Sequence, residues 1–106
     1  MAKVLPLRYD ETMNLILMSG LPGSGKSTLA EAIAKELKLP LFSVDPIEAS
    51  IIKAGIPKSF ETGHAAYLVA ATLAEKQIKL GQSVVIDAVN ALETNVRIVL
   101  EYIGEN

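Results

Sequence analysis

Two kinds of apolar pattern alternate along the chain. Short, nearly unbroken runs, Leu15-Ile16-Leu17-Met18, Leu41-Phe42-Ser43-Val44 and Val84-Val85-Ile86, have the length and residue types of interior strands. Between them apolar residues recur every three or four positions, which is the spacing of one helix face. Leu29, Ile33 and Leu37, with Ala30 and Ala34 beside them, predict a helix over about 25–38 that Pro40 stops. Asp45-Pro46 opens a second helix, and Gly55 lies beyond its end. Tyr67, Leu68, Ala71, Ala74 and Ile78 mark the core side of a long helix over about 61–80, with Gly81 as its terminal cap. A last helix over about 91–103 carries Leu92, Val96, Val99 and Ile103 on one face. Residues 1–12, where Pro6 stands among Arg8, Asp10 and Glu11, predict an irregular leader, leaving 13–106 as the domain proper.

Strands alternating with helices predict an α/β fold, a parallel sheet between two helical layers joined by right-handed crossovers. Sheets of this kind bind ligands beyond the carboxyl ends of their strands. Three such ends stand out here: the segment 20–28, Asp45 and Asp87.

The first of these carries the strongest chemistry. Gly20-Leu21-Pro22-Gly23-Ser24-Gly25-Lys26-Ser27-Thr28 fits G-x-x-x-x-G-K-[ST], the Walker A loop, between an apolar run and a helical stripe. Phosphates crowd negative charge into a small volume. Backbone N–H groups turned into a concave loop can hold that charge, and glycines allow the close approach that a Cβ would block. The helix that follows adds unpaired N–H groups and the positive end of its dipole. Lys26 is expected on the β- and γ-phosphates, Ser27 on Mg²⁺ and Thr28 beside the α-phosphate. A chance match in a strand-to-helix turn is the bland alternative, and the flanking pattern argues against it.

The other two ends are less specific. Asp87 closes Val84-Val85-Ile86-Asp87, the form of a Walker B strand, and is expected to hold Mg²⁺ opposite Ser27 rather than merely to organise a turn. Asp45 has two readings of equal standing. With Pro46 next and Glu48 three on, it looks like a helix cap; at a strand mouth it can also serve as general base toward an acceptor hydroxyl. His64, Asn90, Arg8 and Arg97 read as structural or solvated residues.

Composition narrows the setting. The 106 residues are 50% hydrophobic and 21% charged, as expected of one globular domain. A formal charge of −2 gives no general field for nucleic acid or anionic membrane, and no Lys/Arg cluster is visible. With no cysteine, disulfide and thiolate chemistry are excluded. No apolar stretch approaches a membrane span, and the first residues lack a secretory signal, so the cytoplasm is the expected location.

Together, Gly20–Thr28, the short strand ending at Asp45 and the segment Ser83–Asn90 with Arg97 beyond it resemble the amino-terminal half of small P-loop kinases. The likeness is to the AAA-type ATP-binding proteins grouped with zeta toxins, chloramphenicol phosphotransferase and polynucleotide kinase, and it covers about 14–97. The resemblance implies ATP with Mg²⁺ as donor and a hydroxyl compound as acceptor, with Asp45 acting as base or holding the acceptor. It also implies a sheet of five parallel strands ordered 2-3-1-4-5 with an arginine-bearing lid, of which this sequence supplies strands 2-3-1 only. On that basis the apolar strand at 14–19 becomes an exposed edge and a route to a homodimer. A nucleotide-binding module without catalysis, or a truncated remnant that self-associates, are the alternative readings.

Overall fold

Period-two alternation along one central strand sorts the core into two layers. A computed structural model describes residues 2–7, 10–20 and 26–89, in the order β1 (Ala2–Leu7), β2 (Asp10–Gly20), α1 (Lys26–Leu37), β3 (Leu41–Ser43), α2 (Val44–Lys53), α3 (Phe60–Lys79) and β4 (Val84–Val89). Side chains of β2 point alternately to the two faces of the sheet. Leu15 and Leu17 join Val84, Ile86 and Ala88 against α2 and α3, whereas Ile16, Met18 and Val85 face Ala30 and Ala34 of α1. Both faces of the sheet are therefore buried at 15–18 and 84–86, which is why these stretches read as continuous apolar runs.

The sheet has the order β1-β2-β4-β3. β2 and β3 each pair in parallel with β4, so the expected 2-3-1 arrangement of parallel strands is present with helices on both sides. β1 was not anticipated. Of the irregular leader expected over 1–12, residues 2–7 form a strand antiparallel to β2, with Ala2 opposite Met18 and Pro6 opposite Asn14, and residues 10–12 open β2 itself. Proline argued against a strand because it lacks an N–H, but an edge strand needs only one of its sides bonded. The register then slips between Pro6 and Leu7, so that Leu7 faces Asp10.

This hairpin closes the edge expected to be open. The backbone of 14–18 is taken up by β1, so the homodimer route through that strand has no free ladder there.

Two helix faces also differ from expectation. In α1 the buried positions are Ala30 and Ala34, while Leu29 and Leu37 are exposed. Small side chains let the helix lie close on the sheet, and Ile33, Leu39 and Leu41 fill the margin. In α3 the core side is Ala66, Ala70, Ala71, Ala74 and Ile78, and Leu68 turns outward. The helix expected over 91–103, with Asn90 and Arg97, lies outside the described residues, as does Arg8.

Candidate functional site

The Walker A segment runs from the end of β2 into the start of α1. Gly20 is the last residue of β2, and Lys26 and Ser27 are the first two of α1. Leu21, Pro22, Gly23, Ser24 and Gly25 lie outside the described residues. The strand and helix that flank the motif are those its chemistry requires. The first turn of α1 contains no acidic residue, so no carboxylate of that turn offsets the positive end of its dipole. Thr28, the last residue of the motif, is exposed.

Asp87 lies one strand away. It pairs in register with Met18 of β2 and Ser43 of β3, and it is only 3% exposed. Met18 packs against α1, and alternation puts Asp87 on that same face of the sheet. The motif's helix and the Walker B-like carboxylate thus share one face at the carboxyl end of the parallel strands. Ser43 Oγ donates a hydrogen bond to Asp87 Oδ2 at 3.3 Å. Ser43 is a neighbour that the sequence reading missed; its place at the end of a strand adjacent to that of Asp87 was the available signal.

Asp45 resolves differently. α2 begins at Val44 with Ser43 as its N-cap, so Asp45 falls inside the first turn and the capping reading does not hold. Pro46 is tolerated there because the N–H it lacks would have had no helical partner. The Asp45 carboxylate is exposed and accepts no hydrogen bond among the described residues. Glu48 is not a capping partner of Asp45 either. It reaches across to α3, where Thr62 Oγ1 lies 2.8 Å from Glu48 Oε2.

That contact ties the two helices together near the start of α3. Ser59 and Thr62 form a reciprocal capping box, Ser59 N donating to Thr62 Oγ1 at 3.0 Å and Thr62 N to Ser59 Oγ at 3.2 Å. His64 is exposed and stacks on Phe60, with ring centroids 6.2 Å apart, which keeps it a surface residue. Among the described residues no group of His, Asp and Glu has the makings of a metal cluster by itself, and no helix is long and apolar enough to cross a membrane.

Comparison with known proteins fits this geometry. Residues 15–102 match the AAA domain family, a span that leaves β1 outside. The chain is similar in structure to a candidate kinase from Chloroflexus aurantiacus J-10-fl, with a TM-score of 0.70 and 23% identity over 84% of this chain and 52% of that one. It is also similar to a sugar kinase from Janibacter sp. HTCC2649, solved without ligand, with a TM-score of 0.61 and 25% identity over 83% of this chain and 52% of that one. The chain therefore spans about half the length of these solved structures. No curated protein matches. The phosphate-loop motif between β2 and α1, the parallel β2-β4-β3 sheet and the family match lead to one statement: this chain belongs to the AAA domain family and has the fold of the small P-loop kinases.

Proposed function

We propose that the chain binds ATP through residues 20–28 and acts as a phosphotransferase toward a hydroxyl-bearing small molecule. The observation that carries this reading is the placement of a buried Asp87 on the sheet face of α1, the helix that the Walker A segment enters. Gly20, Leu21, Pro22, Gly23, Ser24 and Gly25 supply backbone N–H groups to the phosphates (Pro22 excepted), and Lys26 supplies an ammonium charge. Thr28 lies next to them at the helix start. The donor set fits Mg²⁺: a buried carboxylate with a hydroxyl already against it, on the sheet face that α1 covers, and Ser27 is the second residue of that helix. Ser27 and Asp87 would hold the ion, which when bound neutralises charge on the phosphates.

In the transfer, the acceptor oxygen forms a bond to the terminal phosphorus as the bond to the bridging oxygen of ADP breaks. Asp45, exposed at the mouth of β3, takes the hydroxyl proton. Most of the acceleration comes from alignment and charge neutralisation rather than covalent catalysis. The similarity to a sugar kinase makes sugars the first acceptors to try.

Titration of the chain with Mg-ATP, and of Lys26→Ala beside it, tests the binding step. Affinity should fall at least about tenfold in the variant, the loss expected of one charge-assisted phosphate contact. Unchanged affinity defeats the loop assignment. Single-turnover reactions with terminally labelled ATP then test transfer: label on an acceptor supports the kinase, and tight binding without transfer supports a module that only binds nucleotide.

A further inference from the structure

Ser43 holds the N-cap position of α2, yet its side chain makes no capping hydrogen bond. A serine there ordinarily accepts from the N–H of the second or third helical residue. In α2 the third residue is Pro46, which has no N–H to give, and the hydroxyl takes none from the second, Asp45. It is directed across the sheet instead. Ser43 pairs in register with Asp87 of β4, and its Oγ donates to Asp87 Oδ2 at 3.3 Å. Alternation along β3 sets up this meeting. Leu41 packs with the α1-side cluster and Phe42 with the opposite one, which returns Ser43 to the α1 side where Asp87 lies. The contact is longer than the roughly 2.7 Å usual between a hydroxyl and an oxygen, so little of the fold's stability rests on it.

From this we infer that Ser43 is a positioning residue whose hydroxyl sets the plane of the Asp87 carboxylate for Mg²⁺, which rests on the proposed role of Asp87 as a ligand of that ion. The last torsion of an aspartate is soft, so a carboxylate left to itself turns over a wide range. A donor on one oxygen narrows that range before the ion arrives, and groups that orient a metal ligand in this way raise affinity for the metal. Two observations separate this role from simple satisfaction of a buried charge. The serine forgoes a cap that its residue type ordinarily supplies, a loss of about 1 kcal/mol. Ser43 is also the residue on which α2 begins, two positions before Asp45. The proposed metal carboxylate and the helix that carries the proposed base are thereby joined at one residue.

The Mg²⁺ dependence of ADP binding, followed by calorimetry, tests the inference, with ADP affinity in EDTA and the urea midpoint measured beside it. Ser43→Ala should raise the Mg²⁺ concentration for half-maximal enhancement by about tenfold and leave affinity in EDTA unchanged. Ser43→Thr, which keeps the hydroxyl, should recover most of that shift. Ser43→Val has the shape of threonine without the hydroxyl and should recover none; this pair replaces Ser43→Ala should that variant fail to fold. Asp87→Asn separates two kinds of failure. If it moves the Mg²⁺ midpoint while Ser43→Ala and Ser43→Val do not, Ser43 has no positioning role and the assignment of Asp87 survives. If Asp87→Asn also leaves the midpoint in place, the magnesium assignment fails and Ser43 has nothing to position. A Ser43→Ala variant that lowers only the urea midpoint overturns the proposal too, since that is the mark of a structural contact.

Discussion

Lys38 takes a left-handed backbone angle, φ +55°, immediately after α1. The end of α1 has the hydrogen bonds of a Schellman motif, Leu39 N to Ala34 O at 2.9 Å and Lys38 N to Lys35 O at 3.3 Å. α3 closes in the same way with Gly81 at φ +86°, so the fold uses glycine at one such position and lysine at the other. Lys38→Gly should therefore stabilise the chain by about 1 kcal/mol, read as a higher urea midpoint with unchanged slope. Tyr67 offers a second check, because desolvation by burial raises its pKa above the ordinary 10.0. A raised folded pKa means that the associated stability is complete below the unfolded value and is lost as pH climbs through the folded one. Stability should decline above about pH 10, and Tyr67→Phe should decline less steeply over the same range. For Asp45, now exposed and not a cap, Asp45→Asn should leave Mg-ATP affinity intact while lowering turnover by about 10²-fold or more.

A polar contact joins α2 to α3 beside their apolar packing. Thr62 is 3% exposed, and its Oγ1 lies 2.8 Å from both Glu48 Oε2 and Ser59 O. A hydroxyl has one proton, so the two acceptors share it while the oxygen accepts from Ser59 N. Thr62→Val keeps the shape and removes all three contacts. It should cost about 1–2 kcal/mol by chemical denaturation, the loss of a capping box plus a bond to a carboxylate. A cost near zero would mean that α2 and α3 are held by Val44, Ile47 and Ile51 against the alanine face alone.

β1 lies at one edge of the sheet and shields β2, whose buried Leu15 to Met18 would otherwise carry an open ladder. Alternate residues of an antiparallel strand donate toward the partner, so prolines at both Val4 and Leu5 must remove at least one ladder bond. That double substitution should lower the melting temperature and raise light scattering on heating. Unchanged scattering would show that β2 is protected by other means. β1 lies outside the span that matches the family, residues 15–102.

Much of the core was legible because its signals are local. The runs at 15–18 and 84–86 read as strands covered on both faces, and strand, glycine-rich loop and helix is the order the phosphate motif requires. The helix ends at Gly55 and Gly81 were readable for the same reason, since a positive φ leaves its mark on residue choice. Contacts distant in sequence were not legible. Nothing near Pro6 announces a strand until β2 is present to pair with it, and nothing in Glu48 says that its partner is Thr62 rather than the cap of its own helix. The face of α1 was misjudged because its larger side chains suggested a leucine stripe, whereas close packing on the sheet favoured the alanines. Residue type and spacing specified which atoms could meet a phosphate. The order of the strands decided that Asp87 and Ser43 stand side by side on the face of that helix, because only packing brings together residues separated by half the chain.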